Sequence, residues 1–269
     1  MIVPWNLSRH LEDKQRADII VISPAKAGRT WLCVMINKYL SLRYGVPFSV
    51  EDLHAHDAAI PSILYDHWLW MHLRFATFRQ RLRGRYIIPR RVLNGNKLVL
   101  LVRDPRDIVV SAYFQETKRV NKHKETLMPM KEYIRDRKRG ISSVVRVLNL
   151  TYRKTCVCPR TLMTKYESFK ADPVGELKRV LEFMEIPIDE SLIEEAVGFA
   201  TFDNMKKMEL NDEFHSTRLR PKDPNDPDSF KVRKGKVGGY REYFDEHDLA
   251  YLECQAAKLH PVFGYTRRG

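Results

Sequence analysis

The chain has 269 residues, 43% of them hydrophobic and 10% aromatic, which is material for one large domain, or at most two, and excludes a disordered protein. Forty-seven Lys and Arg against thirty-four Asp and Glu give a net charge of +13, predicting an anionic partner without choosing among nucleic acid, a membrane surface and a small polyanion. Four cysteines (Cys33, Cys156, Cys158, Cys254) show no disulfide framework, and no second C-x-C or C-x-x-C completes a metal site around Cys156 and Cys158, which share a face only if their segment is extended.

No apolar run approaches the length of a membrane span, and the first fifteen residues mix charge with polar groups where a signal peptide needs an apolar core. The expectation is a soluble, cytoplasmic chain. Residues 1–17 read as a surface lead-in, with Trp5 packing locally. Ile19 to Ile22 is a short β-branched run that predicts a buried strand. Ser23-Pro24-Ala25-Lys26-Ala27-Gly28-Arg29-Thr30 follows as a small-residue loop, and Trp31, Leu32, Met35 and Ile36 then recur at helical spacing. Strand, tight loop and helix start make a phosphate cradle, because first-turn N–H groups lack intrahelical partners and the helix dipole adds positive charge there. The loop is close to the nucleotide motif G-x-x-x-x-G-K-S/T, but Ser23 stands at the first glycine, Arg29 at the lysine, and the lysine sits earlier, at Lys26.

Residues 41–61 carry no clear period. Their His54-Ala55-His56-Asp57 offers metal ligands in principle, with a polar pocket-lining loop as the alternative. Ile63 to Tyr65 predicts a strand ending at Asp66-His67, which puts His67 at the strand edge where open α/β sheets place their chemistry. Trp68 to Arg85 has a helical pattern, and seven basic residues lie between Arg74 and Arg91 as a solvated face. Lys97 to Val102 is the most strand-like run of the chain and leads into Arg103-Asp104-Pro105. Asp104 suits an N-cap, Pro105 the first helical position, and Asp107 the reciprocal position of a capping box. Ser111 is seven residues after Asp104 and on the same face, so Arg103, the helix start and Ser111 can surround a second anion. A magnesium-dependent NTPase needs an aspartate at this strand end, and an arginine comes first.

Residues 116–140 predict a basic loop and then a helix, and Thr161 to Tyr166 a further strand. Val174 to Met184 and Glu190 to Phe199 predict helices, with Pro187 between them. Residues 211–229 are polar and proline-punctuated, predicting a long mobile loop. A basic glycine-containing segment, Lys231 to Gly239, comes next, and a last helix spans about Asp245 to Lys258.

Three of these segments, in order, resemble the sulfotransferases that use 3′-phosphoadenosine 5′-phosphosulfate (PAPS). SPAKAGRTWL is similar to the family's Y-P-K-S-G-T-T-W loop, VRDPRDIVVS to its Arg-then-Ser 3′-phosphate motif, and VRKGKVGGY to its late R-K-G-x-x-G-D-W segment. Weaker similarities lie at Lys165-Tyr166-Glu167, at Ala200-Thr201-Phe202 and at Met205-Lys206-Lys207. The resemblance implies an α/β, single-domain, three-layer P-loop-like fold with a central, mostly parallel sheet flanked by helices, over 1–269 with its core at about 18–260. It implies that Lys26 meets the bridging oxygen of the phosphosulfate and that Ala27, Gly28, Arg29, Thr30 and Trp31 hold the 5′ end. Arg103 and Ser111, with Arg233, Lys234 and Gly235, then hold the 3′-phosphate, and Tyr166, Thr201 and Phe202 flank the adenosine. His67 is the implied general base. PAPS is the implied donor, the partner a small-molecule acceptor hydroxyl or amine rather than nucleic acid, and no metal is needed.

The chain departs from that pattern at Ala27, Arg29, Tyr65 (a lysine in many cytosolic members), Ala200, Gly239 and Tyr240, and no dimerisation motif is evident. A P-loop kinase or NTPase and a basic nucleic-acid-binding protein are the competing readings. The acceptor and the oligomeric state are not named by the sequence.

Overall fold

The computed structural model describes residues 15–67, 93–120, 128–213 and 219–265. Four short apolar segments form its sheet: β1 (Ile19–Ile22), β2 (Ile63–Asp66), β3 (Lys97–Val102) and β4 (Thr161–Lys165). They are parallel, in the order β2-β1-β3-β4. β1 is buried along its whole length and β3 at five of six residues, as expected for strands covered on both faces. The predicted bounds of β1 and β3 hold. β2 runs one residue beyond Tyr65, because Asp66 pairs with Ile22 and its carbonyl accepts from the Ser23 amide at 3.1 Å.

From β1 the chain passes through α1 (Arg29–Tyr44) to β2 on one side, and from β3 through α2 (Pro105–Phe114) and α3 (Ile141–Thr155) to β4 on the other. Right-handed crossovers in opposite directions put their helices on opposite faces. Beyond β4 come α4 (Tyr166–Ala171), α5 (Pro173–Met184), α6 (Glu190–Phe199), α7 (Phe202–Leu210) and α8 (Glu246–Ala256). α5 and α6 pack with α1, and α8 packs with α2 and α3, giving three layers. One hydrophobic core runs from Ala17 to Phe263.

The structure corrects several expectations. α3 and α7 are helices that the sequence pattern did not bring out. Cys156 caps α3 and Cys158 follows in a turn, so the two do not share a strand face. Asp107 does not complete a capping box: the Asp104 amide donates instead to Glu167 at 2.9 Å, and Asp107 turns to the late loop. The described part of the expected mobile loop is pinned, with Leu219 and Ser229 buried and Arg119 donating to the carbonyls of Ser229 at 2.5 Å and Arg220 at 3.2 Å. The His54 ring meets the Ile60 carbonyl at 2.6 Å, away from the main cavity. Trp5, the predicted helix at 68–85, the basic stretch 74–91 and His72 lie outside the described residues.

Candidate active site

The connections leave β1 and β3 in opposite directions, which opens a crevice past their C-terminal ends, the place where open α/β sheets take ligands. A cavity of about 600 Å³ lies there. Every predicted site residue lines it except two. Ala27 is fully buried beneath the loop, and Thr201 is the exposed N-cap residue of α7.

The first wall is the loop between β1 and α1. Gly28 has φ 96°, and a Cβ there would stand 2.5 Å from the Tyr166 ring, so only glycine lets this turn close against the aromatic floor. Lys26 takes a left-handed φ of 72°, which costs a non-glycine residue about 1–2 kcal/mol. Its Nζ donates to Gln115 Oε1 at 3.1 Å, and both residues line the cavity. Burial, with the cations Lys231, Arg119 and Arg103 nearby, lowers the Lys26 amine to about 7, against a weaker opposite pull from Glu209. The chain has spent backbone strain and charge repulsion on this lysine, which is the signature of a site awaiting an anion.

Arg103 forms the second wall. It leaves β3 and donates to the Lys26 carbonyl at 3.3 Å and the Lys236 carbonyl at 3.1 Å, while its guanidinium lies 4.2 Å from the centre of the Tyr166 ring. One arginine thereby ties the first loop to the late basic loop. Its Nε is buried with no hydrogen-bond partner. Ser111 faces the same space from α2, as its seven-residue spacing from Asp104 predicts.

The late loop is the third wall. Asp107 accepts from the Gly238 amide at 2.8 Å and the Tyr240 amide at 3.1 Å. Glu209, fully buried, accepts from the amides of Lys231 at 2.6 Å and Val232 at 2.9 Å and pairs with Arg119 at 3.1 Å. Arg233 stacks 3.9 Å from the Phe114 ring centre and donates to Tyr243 Oη at 2.6 Å. Gly235 has φ 59°, and a Cβ there would stand 2.9 Å from Phe202. Trp31 meets Tyr166 edge-on at 5.6 Å and donates through Nε1 to the Ala200 carbonyl at 2.7 Å. The result is a cavity walled by aromatic rings and cationic side chains.

His67 is the first residue past β2. Its Nδ1 lies 3.4 Å from the Ser23 carbonyl, a long bond in which the oxygen can only accept, so Nδ1 carries the proton and Nε2 keeps its lone pair. Burial first, then Arg29 and Lys231, push the imidazole down to about 3, with the Ser23 bond and Asp66 pulling weakly the other way. It is a neutral base at any ordinary pH. Gln115, Asp107 in its anchoring role and the Arg119–Glu209 pair are site residues that the sequence did not single out, whereas Lys231 was legible only as the first residue of the basic glycine-containing segment.

Comparison with known proteins identifies the family. Residues 16–255 match the family model described as sulfotransferase domain. A flavonol sulfotransferase-like protein of Flaveria bidentis is 29% identical over 258 residues, covering 85% of this chain and 76% of the relative. Cytosolic sulfotransferase 12 of Arabidopsis thaliana is 25% identical over 247 residues, covering 86% and 73%. Among solved structures, a mouse sulfotransferase complexed with PAP superposes with a TM-score of 0.55 at 19% identity, covering 92% of this chain and 86% of that one. Retinol dehydratase in a complex with retinol and PAP gives a TM-score of 0.53 at 18% identity, covering 92% and 84%. The match over 16–255 spans all four strands and all three walls of the cavity, and the chain belongs to the sulfotransferase family.

Proposed function

We propose that the chain transfers a sulfuryl group from PAPS to an acceptor hydroxyl or amine, with His67 as general base and Lys26 as the group that meets charge on the leaving oxygen. The observation that carries this reading is that one cavity is lined by both predicted anion-binding sets, Lys26, Gly28, Arg29 and Thr30 at the start of α1, and Arg103, Ser111, Arg233, Lys234 and Gly235. A 3′,5′-bisphosphate has its two anions on one nucleoside, and the aromatic wall of Tyr166, Phe202 and Trp31 suits the base between them. The unpartnered Arg103 Nε and the glycines at 28 and 235, where a Cβ has no room, fit a ligand of this kind. The PAP complexes among the structural relatives support the same donor.

PAPS supplies the sulfuryl group: its S–O bond to the 5′-phosphate breaks, the electron pair stays on the phosphate oxygen, and the acceptor oxygen or nitrogen bonds to sulfur. The chain's residues do the rest. His67 Nε2 takes the acceptor proton, because Nδ1 is already engaged by Ser23. Lys26 leaves Gln115 and becomes fully protonated once an anion offsets the repulsion of its neighbours. Arg29, Thr30 and the first amides of α1 hold the 5′ end, and Arg103, Ser111, Arg233 and Lys234 hold the 3′-phosphate. Positioning and fixed charge supply the rate enhancement.

Metal is not required in this scheme, since the nearby carboxylates are committed: Asp104 to Arg106 at 2.6 Å, Asp107 to two amides, and Glu116 to Arg139 at 2.8 Å. The match over 16–255 and the shared core support one working domain across the chain. Among the described residues no helix is long and apolar enough to cross a membrane, and a relative named cytosolic supports a cytoplasmic setting. The acceptor is a small molecule of the kind named for the relatives, flavonol or retinol among them. The test is a panel of phenols, alcohols, amines and sugars incubated with labelled PAPS and read by mass. The expected result is a PAPS-dependent gain of one sulfuryl group that persists in EDTA. Activity lost to EDTA and restored by a divalent cation would remove the metal-free scheme, and no transfer together with no PAP binding would remove the assignment.

A further inference from the structure

One cation that acts on both Lys26 and His67 comes from outside the first loop. Lys231 lines the same cavity as Lys26 and His67, though it comes from the start of the late loop. Its ammonium depresses Lys26 more than Arg119 or Arg103 does, and it also depresses His67, so one side chain lies within electrostatic reach of both. Its position is built. The Lys231 amide is held by Glu209 Oε1 and the next amide by Oε2, Glu209 is fully buried, and Arg119 fixes that carboxylate from behind. β2 supplies no cation of its own beside His67. Tyr65, two residues before it, turns away to donate to Asn37 Oδ1 at 2.9 Å.

We propose that Lys231 is a third catalytic residue, whose ammonium meets the non-bridging oxygens of the sulfuryl group as it passes from the Lys26 side of the cavity to the His67 side. The inference rests on the sulfuryl-transfer reading above. In an in-line transfer those two residues stand at the leaving and attacking oxygens, and a cation coupled to both stands beside the group between them. The alternative role, an anchor for an anionic acceptor, predicts a loss confined to the acceptor KM.

The test uses the full chain with Lys231→Met, which keeps the aliphatic stem, and Lys231→Arg, which restores charge. Lys231→Met is expected to lower kcat on the order of a hundredfold, with PAP affinity by calorimetry within about twofold of the parent, and Lys231→Arg to recover part of the loss. Independently of any donor, the His67 imidazole followed by NMR is expected to titrate at higher pH in Lys231→Met, because a depressing charge is gone. An unchanged kcat, a loss confined to the acceptor KM, or an unmoved His67 titration would overturn the proposal. A parent protein that neither binds PAP nor transfers sulfuryl would instead defeat the reading of the site, a result distinguishable because the His67 titration still reports where Lys231 lies.

Discussion

His67 has been stripped of the charge change that makes an ordinary histidine a pH switch. With its folded value near 3 and an unfolded value near 6.5, it is neutral in the folded chain across the physiological range. The unfolded chain takes up its proton first as pH falls, so this residue costs stability progressively below about pH 6.5 and costs none above it. The pH profile of kcat/KM is accordingly expected to lack an acid limb between 6 and 7. A limb there that His67→Ala abolishes would show a solvated imidazole. His67→Ala itself should lose about a hundredfold to ten-thousandfold in turnover while PAP still binds. A variant with near-normal turnover would hand the base role to another group. Lys26 gives the opposite limb. Its amine is near 7 in the free chain, so binding a 5′-anion draws in a proton, and PAP affinity is expected to fall as pH rises from 7 to 9. Calorimetry in two buffers of different ionisation heat measures that uptake; zero uptake at pH 8 would mean that Lys26 is already charged. In Lys26→Ala the larger loss is expected in kcat, on the order of a hundredfold, because the scheme gives the amine to charge that develops on the leaving oxygen, while PAP binding weakens less and loses its fall between pH 7 and 9.

The elements explain which of these residues could be read in advance. β1, β3 and the β1–α1 loop were legible because each is a local pattern: a β-branched run, then small residues, then helical spacing. His67 was legible because β2 is short and apolar and ends one residue before it. Gln115 was not, since nothing local marks a glutamine 89 positions from Lys26 as its partner. α3 escaped because Val144, Val145 and Val147 favour a strand as readily as a helix, and its buried face is defined only by packing on α2 and α8. The Asp107 contact was misplaced for a similar reason. The capping pattern is local, but Glu167 takes the donor that a capping box needs, and only the fold brings Gly238 and Tyr240 near. The late loop is therefore held by two buried carboxylates on separate helices, Asp107 on α2 and Glu209 on α7. Asp107→Ala is expected to weaken PAP about tenfold or more, by releasing two amides bonded to a charged group at about 1.5–3 kcal/mol each. Unchanged affinity would show that the loop holds its shape without α2. Glu209→Gln is expected to cost about 3–5 kcal/mol of stability, because it leaves the Arg119 charge buried without its carboxylate.

At the scale of the whole molecule, the excess of +13 has a local use. Segments near positions 26, 103, 111 and 233 converge because a parallel sheet with a switch between β1 and β3 brings its C-terminal loops to one crevice. Burial first, then Lys231, Arg119 and Arg103, depress Lys26, and an anion bound beside it offsets that repulsion. The most direct measurement of this account is calorimetric titration of the intact chain with adenosine 3′,5′-bisphosphate and, under identical conditions, with AMP. If the 3′-phosphate is held by Arg103, Ser111 and the late loop as proposed, it adds charge-assisted bonds and the bisphosphate binds on the order of a hundredfold tighter. Equal affinity for the two nucleotides would contradict the account, because those residues would then have no 3′-phosphate to hold.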